Sequence, residues 1–530
     1  MLESMAVARE GRPGSRSDEA VRRLSRKAAN LAADGKHGPA ARVWEELAEI
    51  EPEHEGIAVG LGAALLAAGE DRKAARVLGR ASNLHSGNAL LLRLHAQALL
   101  KTGDSNSAVG ALYVALGLEP DSGAIHALLG KALNDQRKPK AALPHAAAAF
   151  EAEPTISNAA LFAGILIDLG LSDEALAVAE SVDVQDGALA SKLVLRSLCL
   201  QMMDRYDEAL VSARQALAAA PDDHHAKCCL GMSLLLRGQL TPEAWSLYDS
   251  RASLIGVKHW PSPERRWTGG DIAGRTLLVH AEQGFGDTIQ FARYLPLIAD
   301  RGAKVILAVQ PALRRLLERV PGADLVVNGG GSELPDFDFY CPLLSLPQIV
   351  GTTLDTIPPP LSLPAFADQT RRDSNLQVGL VWAGNGVFVD DARRSLDPAR
   401  LQPLADIAGV TFNSLQMGAK SLPLPGMIDA MVGISDFADT AERIAALDLV
   451  IAVDTSVAHL AATMGKPVWL LSRKSGCWRW LLDRQDSPWY PSVRIYRQAR
   501  LNDWAGVIEA VSQDLRSVVA TFEQIKAESA

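Results

Sequence analysis

Residues 281–291 (AEQGFGDTIQF) place a carboxylate in a setting that suits proton transfer. Gly284 and Gly286 allow a sharp turn that brings backbone N–H groups close to a ligand. Asp287 follows at the start of a predicted helix, where its carboxylate can accept the proton of an attacking hydroxyl group. The same position equally suits an N-cap that only stabilises the helix, so both roles stay open. The spacing is not the G-x-G-x-x-G of a dinucleotide-binding fold.

Residues 453–461 (VDTSVAHLA) follow an apolar strand and form a second candidate site. Thr455 and Ser456 are predicted to begin a helix, and the free N–H groups and dipole of such a helix stabilise a diphosphate. Asp454 is placed to contact ribose or sugar hydroxyls. His459 lies one turn into the helix, where it either belongs to the site or packs as a buried histidine.

Three further motifs contain polar side chains that are predicted to face the same cleft. Asn385 belongs to WAGN, Arg393 and Arg394 belong to DDARRS, and Gln416 follows the predicted strand FNSL. Arginine clamps phosphate by forked hydrogen bonds, although one of the two arginines equally suits a surface position. We interpret all four as candidates for donor binding, where the donor is a diphosphate-bearing ligand in the cleft.

Other patterns have a structural interpretation that we weigh above the functional one. The aromatic block 478–491 (WRWLLDRQDSPWYP) could line a sugar or base site, but we expect at least two of its three Trp residues to pack in the core. Asp336 and Asp338 form a D-x-D that looks like the start of a strand, so no metal ion is expected there. His224 and His225 lack a third ligand and are expected to be solvated.

The elements that must position these residues alternate between strand and helix after Trp260. Predicted strands are 276–280, 304–309, 324–327, 377–382, 410–415, 449–453 and 468–471, and predicted helices are 287–299 and 312–320. This rhythm predicts parallel doubly wound sheets, in which ligands bind at the carboxyl ends of the strands. The proline-rich tract 357–364 reads as a hinge between two Rossmann-like lobes, the architecture called GT-B.

The first half of the chain repeats every 34 residues. Small residues recur at Ala28, Gly62, Ala96, Gly130 and Gly164, with Leu31, Leu65, Leu99, Leu133 and Ile167 in step, and prolines stand at Pro52, Pro120, Pro154 and Pro221. Helix pairs explain this pattern, since small residues allow close helix contacts and proline ends a helix. The repeat is that of tetratricopeptide proteins, with about seven pairs. Its groove either binds a protein or peptide, or is purely architectural.

The predicted fold class is therefore α plus α/β, an all-α repeat solenoid followed by a GT-B module. We assign residues 1–20 to a disordered N-terminus, 21–255 to the solenoid, 256–274 to a linker, 275–370 to the acceptor-side lobe and 371–530 to the donor-side lobe.

Composition excludes several classes of function. The net charge of −9 disfavours a nucleic-acid partner, because phosphate neutralisation needs a basic surface. Five cysteines without C-x-x-C spacing fit reduced thiols rather than a zinc site. The N-terminus has no apolar signal segment, and the longest apolar stretches fall short of a membrane span. We expect a cytoplasmic protein without an integral membrane segment.

Taken together, the motifs make a family resemblance recognisable. The second half resembles glycosyltransferase family 9, the ADP-heptose:lipopolysaccharide heptosyltransferases, through Gly286-Asp287 and the D-T-S-x-x-H of residues 454–459. The whole chain resembles bacterial repeat-containing fusions of this family, whose blocks EQGxGDTIQFxRYLP, VGLVWAGN, RRS, SLQ, DFADTA, VDTSVAHLAA and SPWYP all occur here. Some such fusions are linked to flagellin glycosylation.

The resemblance implies roles for particular residues. Asp287 matches the catalytic base, and Thr455, Ser456 and His459 match the donor-phosphate loop. Ser456 replaces the glycine of the heptosyltransferases, and DDARRS stands where they have a phosphate-binding lysine, so an arginine must substitute. The donor is then expected to differ from ADP-heptose.

These observations favour inverting, metal-independent glycosyl transfer from a nucleotide sugar, without a cofactor, to a cytoplasmic protein held by the repeats. One alternative keeps the enzyme but makes the acceptor a saccharide or a lipid-linked glycan. Another is a non-enzymatic repeat scaffold whose α/β module is inactive.

Overall fold

The computed structural model describes residues 16–183, 188–255, 263–330, 334–363, 375–384 and 391–529. The chain divides into two compact units, Met1–Asp183 and Val184–Ala530. The described residues of the first unit are mainly helical, and those of the second form further helices followed by two parallel sheets. No helix of the described residues is both long and apolar enough to cross a membrane.

The described part of the first unit consists of ten helices that pack in consecutive pairs. They are α1 (Arg16–Ala33), α2 (His37–Ile50), α3 (Glu55–Ala67), α4 (Asp71–Leu84), α5 (Ala89–Thr102), α6 (Ser105–Leu118), α7 (Gly123–Asp135), α8 (Pro139–Ala152), α9 (Ile156–Asp168) and α10 (Ser172–Ser181). Polar side chains begin several of them, as when Asp104 accepts a hydrogen bond from the Ser107 amide at 3.1 Å. The 34-residue period is therefore one helix pair, as the sequence predicts.

The prolines and small residues of the repeat largely have the roles expected of them. Pro52, Pro120 and Pro154 each lie two residues beyond the end of a second helix. A Cβ on Gly130 would come within 3.2 Å of the Ala146 amide nitrogen, which confirms a close helix contact. Gly164 differs, because a Cβ there would meet nothing within 4 Å.

The turn inside each pair requires a left-handed residue at one fixed position. Five of these residues are glycines with φ between 75° and 88°: Gly35, Gly69, Gly103, Gly170 and Gly238. The same position holds Arg137 and Asp204, each with φ of 60°. A residue with a Cβ is strained in this conformation, so the turns at Arg137 and Asp204 contain backbone strain that the five glycine turns lack.

The second unit begins with α11 (Leu189–Met202), α12 (Tyr206–Ala219), α13 (His224–Leu236), α14 (Pro242–Asp249) and the short α15 (Arg251–Leu254). The prediction of about seven helix pairs between residues 20 and 250 is therefore met by α1 to α14. His224 and His225 are exposed at the start of α13, as expected.

The last helix pair packs into the core of the α/β region. Trp245 donates from its indole nitrogen to the Thr352 carbonyl at 2.7 Å. The rings of Trp245 and Tyr248 both lie against Trp478, with centroids 5.6 and 5.4 Å away. These helices and the sheets therefore share one hydrophobic core.

In the first lobe, the residues that the structure describes form a four-stranded parallel sheet in the order β3-β2-β1-β4. Its strands are β1 (Thr276–His280), β2 (Lys304–Val309), β3 (Leu325–Asn328) and β4 (Phe339–Pro342). Its helices are α16 (Phe285–Phe291), α17 (Leu295–Ala299), α18 (Arg314–Leu317) and α19 (Leu346–Val350). Short 3-10 turns occupy Pro263–Arg265, Ala292–Tyr294, Pro311–Leu313, Leu343–Ser345 and Leu354–Thr356.

The prediction of one continuous helix over residues 287–299 was wrong. The 3-10 turn Ala292–Tyr294 separates α16 from α17, which has Pro296 in its first turn. Proline has no amide hydrogen and suits a helix start rather than an interior, so the chain begins a new helix there.

The described part of the second lobe contains a six-stranded parallel sheet in the order β10-β9-β8-β5-β6-β7. Its strands are β5 (Leu376–Val381), β6 (Val410–Ser414), β7 (Ile428–Asp429), β8 (Leu449–Val453), β9 (Val468–Ser472) and β10 (Val493–Arg497). Its helices are α20 (Asp391–Arg394), α21 (Phe437–Ala445), α22 (Ser456–Thr463) and α23 (Trp504–Ser529), with 3-10 turns at Pro398–Leu404 and Trp478–Trp480. The sequence analysis missed β7 and β10.

Candidate functional site

Asp287 lies in the first turn of α16, in the loop that follows β1. Its Oδ2 accepts a hydrogen bond from the Gly284 amide at 2.9 Å, so the carboxylate does cap the helix start. Its side chain nevertheless stays 20% exposed. The capping role and the role of a base are thus compatible, since one carboxylate can perform both.

The other oxygen of Asp287 contacts an arginine that the sequence analysis did not single out. Arg479 Nη2 lies 2.5 Å from Asp287 Oδ1, and Arg479 is itself buried. It belongs to the aromatic block WRWLLDRQDSPWYP, for which the sequence analysis favoured core packing because of the Trp residues. Nothing local in the sequence indicates this partner, because Arg479 comes from the second lobe.

The loop after β8 begins α22 without a side-chain cap. Thr455 occupies the N-cap position, and its side chain makes no capping hydrogen bond. Its Oγ1 is buried and has no hydrogen-bond partner among the described residues. Ser456 is the first residue of the helix, and α22 has no acidic side chain in its first turn. This helix start therefore presents unsatisfied amide donors and the positive end of the helix dipole.

His459 is buried one turn into α22. Its Nδ1 lies 3.0 Å from the Tyr490 hydroxyl, and its ring stacks on Trp480 with centroids 5.2 Å apart. Its Nε2 lies 3.6 Å from Asp454 Oδ1. The packing interpretation therefore describes its position, although the ring also contacts a candidate site residue.

The surroundings of Asp454 keep its carboxyl group ionised. Burial alone would raise its pKa, but the contact with His459, with Trp480 and Arg394 nearby, outweighs burial and lowers the pKa to about 2. At neutral pH Asp454 is thus a carboxylate held at the start of α22.

The two loops meet directly. A Cβ on Gly286 would lie 2.7 Å from His459 Cδ2 and 3.4 Å from Ser456 Cα. Glycine at this position is what allows the start of α16 to approach the start of α22 so closely. The two candidate loops, which lie far apart in the sequence, are therefore direct neighbours in the fold.

Arg394 supports the same region from the loop after β5. Its Nη1 donates to the Asp454 carbonyl at 3.0 Å, and its Nε donates to Asp391 Oδ1 at 2.9 Å. A Cβ on Gly384 would lie 2.5 Å from Arg394 Nη2, so this glycine makes room for the guanidinium. Arg393 precedes it in α20 and is half-buried.

Gln416 lies just after β6 and contacts the loop that follows β5. Its Oε1 accepts hydrogen bonds from the Trp382 and Ala383 amides at 3.2 and 2.9 Å. The side chain thereby holds the loop after β5. Asn385 lies outside the described residues.

The D-x-D pair lies at the amino ends of the strands of the first sheet. Asp338 Oδ2 accepts from the amide of Thr276, the first residue of β1, at 2.7 Å, whereas Asp287 follows the opposite end of that strand. Asp338 therefore fixes the beginning of the strand, as the strand-start interpretation predicts. Among the described residues, no group of three or more His, Cys, Asp or Glu side chains is placed to hold a metal ion.

The three late tryptophans are core residues. Trp478, Trp480 and Trp489 are 5%, 1% and 1% exposed, which agrees with packing as their main use. They nevertheless surround functional candidates, because Trp480 stacks on His459 and the Arg479 guanidinium lies 4.5 Å from the Trp478 ring centroid.

Comparisons with known proteins bear on the second lobe. Residues 424–493, which include β8, α22 and β9, match glycosyltransferase family 9 (heptosyltransferase). The chain is 25% identical over 500 residues to Protein FlbA of Caulobacter vibrioides, an alignment that covers 79% of this chain and 83% of that protein. The C-terminal region thus contains a glycosyltransferase family 9 domain.

Solved structures of repeat proteins are also similar. A tetratricopeptide repeat protein from Parabacteroides merdae is 14% identical, with 46% of this chain and 95% of that chain covered and a TM-score of 0.40. YrrB, described as a tetratricopeptide repeat protein with an unusual peptide-binding site, is 22% identical, with 35% of this chain and 96% of that chain covered and a TM-score of 0.29.

Proposed function

We propose that this protein transfers a sugar from a nucleotide-sugar donor to an acceptor hydroxyl group, with inversion and without a metal ion. The acceptor oxygen attacks the anomeric carbon, the bond from that carbon to the diphosphate oxygen breaks, and the hydroxyl proton passes to Asp287. The donor diphosphate lies at the start of α22. The family 9 match in the second lobe supports glycosyl transfer in general.

The contact of Gly286 with α22 is the observation that carries this proposal. It brings the loop of Asp287 against the uncapped helix start, with Ser456 Cα 3.4 Å from where a Gly286 Cβ would stand. A base and a leaving diphosphate must flank the same anomeric carbon, so their loops must be neighbours. The amides of α22, the Thr455 hydroxyl group and the helix dipole would stabilise the departing charge.

Other candidates have supporting roles in this proposal. Asp454, ionised at neutral pH, accepts hydrogen bonds from ribose or sugar hydroxyls. Arg394 and Arg393 add positive charge beside the diphosphate, in the place where the resembling enzymes use lysine. Gln416 acts indirectly, by holding the loop that precedes Asn385.

The first test is Asp287→Asn. Asp338→Asn is the matched control, because Asp338 lies at the opposite end of β1 in the same sheet. Loss of a general base typically lowers kcat by about 10²–10⁴-fold, and we expect this for Asp287→Asn while the Kd of the donor is unchanged. Asp338→Asn should keep its activity. Undiminished transfer by Asp287→Asn would remove it as the base. Calorimetric titrations that stay flat across a panel of nucleotide sugars would favour the inactive scaffold.

Metal independence has its own test. Transfer should persist in excess EDTA, because the α22 amides and nearby arginines would supply the stabilisation that a metal ion gives elsewhere. A loss of activity that Mg²⁺ or Mn²⁺ restores would contradict this part of the proposal.

The acceptor is proposed to be a cytoplasmic protein, flagellin-like, bound by the helical repeats. A fragment of residues 184–530 tests this, since those residues form a compact unit of their own. Transfer to protein should fall in the fragment while donor binding persists. Full transfer to a saccharide or lipid-linked glycan by the fragment would instead favour the alternative acceptor. A cut after residue 250 is unsuitable, because Trp245 and Tyr248 belong to the shared core.

A further inference from the structure

Arg479 is a buried cation, and each of its three guanidinium nitrogens has a specific polar neighbour. Its Nε donates to Gln290 Oε1 at 3.0 Å, its Nη1 to Cys477 Sγ at 3.2 Å, and its Nη2 lies 2.5 Å from Asp287 Oδ1. The rings of Trp478 and Phe291 flank the guanidinium, with centroids 4.5 and 5.5 Å from Cζ. The guanidinium therefore has one defined position.

The turn that carries Arg479 is strained. It is the 3-10 turn Trp478–Trp480, and the following Leu481 has φ of 50° and ψ of −173°, a conformation that is sparsely populated for residues with a side chain. Arg497 Nη2 donates to the carbonyls of Trp480 and Leu481 at 3.1 and 2.7 Å. Strain that the surrounding structure holds in place in this way is typical of functional sites.

Burial of a guanidinium is costly unless its partners compensate. Removing an ion from water costs several kcal/mol, and an apolar side chain often fills such a position as well or better. The chain instead keeps an arginine, on a strained turn, against the carboxylate proposed as the base. Core packing alone does not account for that choice.

We infer that Arg479 is a positioning residue for Asp287, an inference that rests on the proposed function. The ion pair with Arg479 holds Oδ1 while the Gly284 amide donates to Oδ2, and the two contacts together orient the carboxylate toward an acceptor hydroxyl group. Asp287 belongs to the first lobe and Arg479 to the second. The base is consequently oriented only while the two lobes are in contact, which couples deprotonation of the acceptor to closure of the lobes.

Arg293 provides a matched control. It is also a buried arginine between the lobes, 3% exposed, with Nη1 donating to the Trp489 carbonyl at 2.7 Å and to the Pro358 carbonyl at 3.2 Å. Its guanidinium lies 4.7 Å from the Tyr490 ring centroid. Arg293 shares the burial and the contact between lobes, but the contacts described for it do not involve Asp287.

The experiment compares Arg479→Gln, Arg479→Lys and Arg293→Lys for kcat, donor Kd and thermal midpoint. Misplacement of a reacting group costs about 100-fold in rate, so we expect kcat to fall about 100-fold in Arg479→Gln with donor Kd unchanged. Arg479→Lys should recover part of that loss and serves if the Gln variant does not fold. Arg293→Lys should lower the thermal midpoint similarly but keep kcat within a few-fold of the wild type.

A double-variant comparison separates positioning from direct donor binding. If Arg479 acts through Asp287, Asp287→Asn/Arg479→Gln should be no slower than Asp287→Asn alone. Multiplied losses in the double variant, or a weakened donor Kd in Arg479→Gln, would overturn the inference in favour of a diphosphate-binding arginine. An inactive Asp287→Asn with a fully active Arg479→Gln would overturn the inference alone. Full activity of Asp287→Asn would overturn the proposed base and the inference with it.

Discussion

Gly286 and His459 approach so closely that the two lobes touch through a position where only glycine fits. A Cβ atom on Gly286 would stand 2.7 Å from the Cδ2 atom of the His459 ring, and that ring is fixed by Trp480 and Tyr490. The close approach of the Asp287 loop to the start of α22 therefore requires that position 286 has no side chain.

Gly286→Ala should separate the two loops. We expect the free energy of unfolding to fall by about 1–3 kcal/mol, the cost of overpacking a tight contact. We expect kcat to fall by about 100-fold, because the proposed base and the diphosphate would no longer be correctly positioned relative to each other. Urea unfolding and steady-state kinetics measure the two effects. Gly110→Ala, on the exposed side of α6, is the control, since a Cβ there would meet nothing within 4 Å. Equal losses in both variants would argue against a special role for the Gly286 contact.

Thr455→Val should have opposite effects on stability and on donor binding. The buried Oγ1 has no hydrogen-bond partner among the described residues, so its removal should raise stability by up to about 1 kcal/mol. The lost hydrogen bond to the diphosphate should weaken donor binding by about tenfold. Thermal unfolding and calorimetry report these changes. Thr463→Val, at the other end of α22, should leave donor affinity unchanged, and unaltered donor affinity in Thr455→Val would exclude this hydroxyl group from the site.

Arg251 and Glu282 form a buried ion pair between α15 and the loop before Asp287. Their side chains are 3% and 2% exposed, and Arg251 Nη2 lies 2.7 Å from Glu282 Oε1. Burial raises the pKa of Glu282 despite this partner. Arg251→Met leaves the carboxylate without its cation and should cost about 3–5 kcal/mol in urea unfolding.

The addition of Glu282→Gln to Arg251→Met should recover much of the lost stability, since no unpaired charge is then buried at position 282. Arg205→Met, which breaks the exposed pair of Arg205 and Glu208, should change stability little. A double variant as unstable as the single one would show that packing, not charge, makes Arg251 important.

His280 should make the protein sensitive to mild acid. Burial at the end of β1, together with the nearby Arg266 and Arg251, lowers its pKa from 6.5 to about 4 despite a backbone hydrogen bond to Ala281. The unfolded chain therefore binds a proton that the folded chain does not, and stability falls as the pH drops from about 6.5 to about 4, by up to about 3 kcal/mol. Unfolding measured across that range should be less pH-dependent in His280→Gln. The exposed His225→Gln should keep the wild-type profile; identical profiles for all three proteins would refute the assignment.

Arg137→Gly should stabilise the helical repeats. Arg137 has φ of 60° at the turn position where five other repeats have glycine. Relief of this strain, less the extra freedom that glycine has in the unfolded chain, should add about 0.5–1 kcal/mol. Urea unfolding followed by circular dichroism measures the gain. Arg137→Ala keeps the strain and should show no gain, so an equal increase in Ala and Gly variants would assign the effect to the arginine side chain instead.

The helices and most strands follow from the sequence because their signals are local. The 34-residue period, the prolines after α2, α6 and α8, and the apolar runs of β1, β2 and β8 all depend on near neighbours in the chain. The ends of those strands likewise indicated Asp287 and Thr455 as site candidates, because a parallel sheet collects its loops at one edge.

Only the tertiary structure decided which side chains meet. In the sequence Arg479 is only one member of an aromatic block assigned to packing, Gln416 is only a residue after a strand, and nothing singles out Trp245. Their partners Asp287, Trp382 and Thr352 come from other elements of the fold. Such contacts are set by how two lobes and a helix pair pack around a shared core, and neither periodicity nor spacing along the chain encodes that packing.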